Sequence, residues 1–347
     1  MKAVIMAGGE GTRLRPITLT RPKPLVPVAG RACIDYVIDR LLMAGVTDII
    51  ITTGYRAAQI LSYIGGGSRY GEINVVYSIE DIPMGTAGGV KKIEAFLDDT
   101  FIVASGDVLS DVDFSSLLDF HRKRKAEATM ALTTVKDPTQ FGIVGIASDG
   151  RIERFREKPP REEVFSNLIN AGIYILEPEV LRIVPEKKMF DFSKQLFPIM
   201  LETGRRLFAT PLKGLWKDIG NPEELIDANL RMVKRKGYYL SSIPKEQWNE
   251  VDIREPFMAE EGVKLGVGTH LAGAVLYSGC SVGENSMLEE TVVLEEAKIG
   301  KGCVLRRTFV GRNAVIEEGA VLENCVIGDG EGVVAGAHLK SVRIPSS

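Results

Sequence analysis

The chain of 347 residues has no surplus of positive charge: 43 Lys and Arg stand against 46 Asp and Glu. A net charge of -3 excludes the basic surface that a nucleic acid or an anionic membrane would need, so an anionic ligand must be met by locally placed cations. The basic runs "HRKRK" at 121–125 and "KRK" at 234–236 fall in helix-like stretches and read as solvated faces. Cysteine is scarce. Cys33, Cys280, Cys303 and Cys325 form no CxxC pair and have no histidine at metal-ligand spacing, and they read as reduced core thiols of a cytoplasmic protein. No stretch holds eighteen uncharged apolar residues, and Gly8 and Gly9 interrupt the apolar start too soon for a signal-peptide core. Neither a membrane span nor secretion is expected.

What is present divides into two periodicities. Up to about residue 232, strand-like runs such as "KAVIMA", "DIIITT" and "TFIVAS" alternate with helix-like segments such as "CIDYVIDRLLMAG". That alternation predicts an α/β domain over 1–232, with a mixed, mainly parallel, Rossmann-like sheet and helices on both faces. A polar stretch with Pro244 and Pro256 reads as a connection, 233–262. From 263 to 347 a 17-residue repeat sets in: Val282, Ile299, Ile316 and Val333 are in step, as are Leu288, Leu305, Leu322 and Leu339, and Val293, Val310 and Ile327. Three short faces per coil predict a triangular solenoid, similar to the left-handed parallel β-helix of hexapeptide-repeat proteins.

Directly after the first strand comes "MAGGEGTRLRP", Met6 to Pro16. A P-loop would need Lys and Ser or Thr after its last glycine, and Thr12 and Arg13 stand there instead. A dinucleotide fingerprint would run into a helix, which Pro16, Pro22, Pro24 and Pro27 forbid. An extended, proline-stiffened loop carrying Arg13, Arg15, Arg21 and Lys23 remains, and it suits a phosphate chain met by glycine amides and fixed cations.

The segment "GGEGTRLRPITLTRPKPLVPV" closely resembles the signature of the sugar-1-phosphate nucleotidyltransferases. "GTAGG" at 85–89, "GD" at 106–107, "FGIV" at 141–144, "REKP" at 156–159, "INAGIY" at 169–174 and "WKDIG" at 216–220 follow in the order expected of that family. The resemblance implies attack of a sugar-1-phosphate oxygen on the α-phosphorus of a nucleoside triphosphate. It implies Arg13, Lys23, Asp107 and Asp218 as the catalytic set, with Mg²⁺ held by Asp107 and Asp218, and Asp111 and Asp113 as nearby alternatives to Asp107. The nucleotide would meet Ala7, Gly8, Gly9, Gly11, Thr12, Arg13, Lys23, Glu80, Gly85 and Thr86; the sugar phosphate would meet Gly142, Glu157, Lys158 and Asn170.

Glu80 bears on the base. Guanine offers two adjacent donors, N1–H and the N2 amino group, which one carboxylate accepts together, whereas uracil and thymine suit an amide better. GTP is therefore the favoured nucleotide, and the resemblance alone favours mannose 1-phosphate as acceptor. Uridylyl or thymidylyl transfer to glucose 1-phosphate and a non-catalytic nucleotide-sugar sensor remain open. An acyltransferase solenoid would need a histidine with a long insertion loop, and His270 and His338 stand near opposite ends of the repeat. The expected partners are small molecules, with no nucleic acid and no membrane, and the solenoid is expected to build a homo-oligomer.

Overall fold

The computed structural model describes residues 1–236 and 250–345. It forms two compact units, one of Met1–Gly9 with Ile34–Lys217 and one of Glu10–Cys33 with Asp218–Ser347. Compactness thus divides the chain differently from 1–232 and 263–347: the signature loop and the last helix of the predicted α/β domain belong with the solenoid.

The first unit is built on a mixed nine-stranded sheet. Seven strands run in the order Ile152–Glu157, Gly142–Ile146, Leu168–Leu176, Phe101–Ser105, Lys2–Met6, Asp48–Thr53 and Asn74–Ile79, while Ala128–Thr134 pairs both Leu168–Leu176 and Leu207–Pro211. Lys2–Met6 is parallel to both its neighbours and is buried on its central residues, as a strand covered on two faces must be. Leu168–Leu176 enters antiparallel and breaks register between Asn170 and Tyr174, where Gly172 takes φ of 73°. Helices Gly85–Lys91, Phe114–Arg124 and Phe197–Glu202 pack on these strands.

In the second unit the 17-residue columns become vertical neighbours in parallel ladders. Val282, Ile299, Ile316 and Val333 pair in succession; so do Leu288, Leu305, Leu322 and Leu339; Val293, Val310, Ile327 and Ile344 form the third column. The fold is the expected hexapeptide-repeat β-helix. Small residues occupy its corners, and three of the four cysteines are among them. Burial pushes the Cys280 thiol up to about 12, and all four cysteines are buried and unbridged. Corner hydroxyls and thiols donate to a carbonyl of the following coil: Ser286 Oγ to Gly300 O at 2.9 Å, Cys303 Sγ to Glu317 O at 3.1 Å and Cys325 Sγ to Leu339 O at 3.5 Å. They satisfy acceptors that the turns would otherwise bury without partners.

The connection expected over 233–262 is partly regular structure. Helix Pro222–Lys236 covers its start and strand Asp252–Ala259 its end, while 237–249, with Pro244, lies outside the described residues. Pro256 is tolerated because the strand has one neighbour and shifts register between Arg254 and Phe257.

Asn229 ties this unit together from a fully buried position on the helix. Its Oδ1 accepts from Ala29 N–H and from the Tyr277 hydroxyl, both at 2.9 Å, and its Nδ2 donates to Pro27 O at 3.1 Å and Leu225 O at 3.0 Å. Loop, helix and solenoid thereby share one satisfied amide. No helix among the described residues is long and apolar enough to cross a membrane.

Candidate active site

In the sheet unit the parallel strands Lys2–Met6, Asp48–Thr53, Asn74–Ile79 and Phe101–Ser105 end at one edge, where open α/β sheets take their ligands. Ala7 N–H donates to Thr52 O at 2.8 Å, Glu80 N–H to Thr53 O at 2.7 Å and Gly106 N–H to Met6 O at 2.9 Å. Ala7, Gly8, Glu80 and Asp107 are therefore gathered there. A Cβ on Gly8 would lie 3.8 Å from Gly54 N, and one on Gly9 would meet nothing within 4 Å. Asp107 accepts a hydrogen bond from Ser105 Oγ.

Glu80 is half-buried, and burial raises its carboxyl above the usual range against the opposing pull of Met84 N–H, which donates to Oε2 at 3.0 Å. Its Oε1 lies over Gly89, where a Cβ would overlap it. Other glycines of "GTAGG" serve packing. Gly85 has φ of 72°, and its Cβ would come 2.8 Å from Phe190 O; that of Gly88 would come equally close to Lys188 O. Thr86 is held by Asp191, whose Oδ1 accepts from Thr86 N–H at 3.0 Å and Oγ1 at 3.2 Å. Gly85 and Thr86, expected at the nucleotide, thus pack on the 188–191 segment, and Asp191, a residue that no motif marked, fixes them.

The two alternatives to Asp107 have structural work of their own. Asp111 accepts from Arg40 at 2.8 Å and from Leu215 N–H at 2.8 Å, against Gly214, which leaves space for it. Asp113 caps helix Phe114–Arg124 by accepting from Ser116 N–H and Oγ, and those bonds hold its carboxyl below the usual range.

Register brings three of the sugar-phosphate residues side by side. Glu157 pairs with Gly142, and Ile143 pairs with Ile169, the neighbour of Asn170. The space a Cβ on Gly142 would need is filled by Glu157 Oε2 and the Phe155 ring, at 2.7 and 2.9 Å, so the close approach expected of a ligand is made by the protein's own side chains. Asn170 Nδ2 donates to Tyr174 Oη at 2.9 Å and Ser193 Oγ at 3.0 Å, and its Oδ1 accepts from Gly172 N–H at 2.9 Å. Burial raises the Glu157 carboxyl, with Lys158 opposing. Lys158 itself is exposed and takes φ of 43°, a left-handed backbone that costs a lysine about 1 kcal/mol or more.

In the solenoid unit the signature loop turns sharply at Gly11, φ 64°, where a Cβ would press on Thr18 and Lys23 at 3.0 and 3.1 Å. Thr18 Oγ1 and Leu14 N–H both donate to Gly11 O at 2.9 Å, closing the short turn Thr12–Leu14 that lifts Thr12 and Arg13 outward. Lys23, only 12 % exposed, reaches Asp218 Oδ1 at 3.2 Å; Arg13, 62 % exposed, lies 3.9 Å from Asp218 Oδ2. Gly220 explains the end of "WKDIG": a Cβ there would sit 2.8 Å from Asp218 Oδ2 and 3.4 Å from Arg13. One carboxylate thus holds two cations of opposite character, one sheltered and one presented to solvent.

A nucleotidyl transferase family matches residues 2–235. The chain belongs to that family. Residues 258–340 match a GlmU-like C-terminal hexapeptide family. A mannose-1-phosphate guanyltransferase of Saccharomyces cerevisiae is 38% identical over 252 residues, which is 71% of this chain and 67% of the relative. A UTP--glucose-1-phosphate uridylyltransferase of Synechocystis sp. is 33% identical over 84% of this chain and 83% of its own. Among solved structures, a candidate glucose-1-phosphate thymidylyltransferase from Bacillus anthracis superposes with a TM-score of 0.62 at 29% identity, covering 69% of this chain and 97% of that one.

Proposed function

We propose that this nucleotidyltransferase moves a guanylyl group from GTP to mannose 1-phosphate and releases pyrophosphate. The observation that carries the reading is the arrangement of Arg13 and Lys23 about Asp218, on a loop bearing the family signature. A sugar-phosphate oxygen bonds to the α-phosphorus, the bond from that phosphorus to the bridging oxygen breaks, and pyrophosphate leaves with the electron pair. The nucleophile needs no base, because a phosphate monoester loses its second proton near pH ~6. The work is electrostatic: Arg13, forked and permanently charged, faces the charge building on pyrophosphate, and Lys23 faces the α-phosphate. Lys158, with Glu157 and Asn170 beside it in sequence motif and register, would hold the sugar phosphate.

Mg²⁺ fits the donor chemistry, since Asp107 and Asp218 each offer hard carboxylate oxygens, and these are the residues that would hold it. When bound, it would offset the negative charge of the phosphates.

Glu80 supports guanine. Met84 N–H uses one lone pair of the carboxylate, and the others suit the paired donors of guanine. The Synechocystis relative favours a second reading, uridylyl transfer to glucose 1-phosphate. Pyrophosphate release with GTP, ATP, UTP and dTTP crossed against the two sugar phosphates separates them. The expected peak is GTP with mannose 1-phosphate, and Glu80→Gln should shift the GTP:UTP preference about tenfold toward UTP; an unchanged preference removes the base assignment. Silence in every combination would leave a sensor.

A further inference from the structure

The solenoid carries a further 17-residue column besides the three that fill its interior. Val275, Val292, Phe309 and Val326 stand at one position of successive coils, all buried, yet outside the cluster that fills the coil interior. The terminal coil puts Arg343 in that column, paired with Val326. Its Nη1 donates to the backbone carbonyls of Arg13 and Arg15, both at 3.1 Å.

A second anchor lies beside it. Asp329 accepts from Arg21 and, at 2.7 Å, from Thr20 Oγ1; its other oxygen accepts from Arg312 N–H at 2.9 Å, which fixes the carboxylate to the coil. The Arg21 and Asp329 side chains are 10 % and 16 % exposed, so this pair is shielded from solvent. Burial opposes the charge on Asp329, and Arg21 and Thr20 outweigh it, holding the carboxyl below its usual range. Gly328 completes the fit, for a Cβ there would press on Pro16 at 3.3 Å. The loop is therefore gripped on both sides of the turn Ile17–Leu19, by backbone at 13 and 15 and by side chains at 20 and 21.

We propose that the terminal coil is a positioning device for catalysis, in which Arg343 and Asp329 hold the signature loop so that Arg13 is presented in its working orientation. The role rests on the assignment of Arg13 given above. An apolar residue at 343 would continue the column and keep the coil, but it would leave two loop carbonyls without their donor. Arginine at that place serves the loop rather than the repeat.

The test uses the full chain carrying R343A, R343K or D329N, with K340A as a control from the same coil, whose lysine pairs with Glu323. R343A should lower kcat about tenfold with KM changed less than about threefold, R343K should recover part of the loss, and K340A should match the parent. In the R13A background, R343A should cost little more, because its effect runs through Arg13. Trypsin supplies a readout independent of turnover. Pro16, Pro22 and Pro24 block cleavage after Arg15, Arg21 and Lys23, so only the Arg13–Leu14 bond is open to it within this part of the loop. Cleavage there should accelerate about tenfold in R343A and D329N and not in K340A. Faster cleavage without turnover in the parent chain would support the anchoring and overturn the transferase reading. Parent-like turnover and cleavage in both variants, or an R343A loss of equal size with and without Arg13, would overturn the positioning role.

Discussion

Two glycine-rich segments in this molecule differ in what fills the space their missing side chains leave. In "GTAGG" the protein fills it: the backbone at 188–190 closes on Gly85 and Gly88, and the Glu80 carboxylate lies on Gly89. In "GGEGTRLRP" Gly9 opens on nothing, while Gly11 makes the turn that sends Arg13 outward. Glycine therefore permits close approach in both, but it is Gly9 in "GGEGTRLRP" whose open side leaves room for a partner from outside. A cluster of glycines marks a place where backbone must come near something; its surroundings decide whether that something is ligand or protein.

Substitutions can break this contrast. The largest effect is expected from Arg13→Ala, which should lower kcat about 10²–10³-fold while leaving the thermal midpoint unchanged, since the side chain is exposed and its loss opens no cavity. Gly85→Ala should act the other way, destabilising the fold by about 2–3 kcal/mol in denaturant titrations, because a left-handed backbone and a contact with Phe190 O both oppose a methyl group. Glu157→Gln is expected to be milder and dependent on pH. Burial raises the Glu157 carboxyl, so its contribution to stability is fullest below the unfolded pKa and is lost as pH rises through the higher folded value. The variant should melt higher than the parent at neutral pH, and the gain should vanish toward acid. Gly9→Ala should be smallest, shifting stability by less than about 0.5 kcal/mol; a large loss would show that "GGEGTRLRP" is packed like "GTAGG".

The solenoid was the most legible part of the chain because its neighbours recur at fixed separation: Leu288, Leu305, Leu322 and Leu339 are in step in sequence for the same reason that they stack. The solenoid unit's strand Asp252–Ala259 reads as a connection because the rule fails there. Asp252 pairs with His270 but Phe257 with Ala274, a change of register at Pro256 that makes the segment look like a connection. In the sheet unit, motifs mark the ends of the parallel strands, but the roles of Asp111 and Asn170 depend on partners from distant sequence, Arg40 and Leu215 for one and Ser193 for the other. Asp113 differs, since an aspartate three residues before a serine at a helix start is a readable cap. Arg343 was also readable, as a cation closing a column of Val, Val, Phe and Val.

The regular spacing of the coils makes their number a length gauge. Each coil advances the stack by one strand spacing, about 4.8 Å, whatever its other residues. Asp329 and Arg343 meet the loop several coils along the stack from Tyr277, so inserting or deleting one 17-residue coil between Asn229's contact at Tyr277 and these anchors would displace them by a full spacing. Repeat proteins usually tolerate changes of copy number because each coil sees only its neighbours. In this chain a structure outside the stack is fastened at two heights, and the number of coils between the fastenings is constrained by the span of the loop.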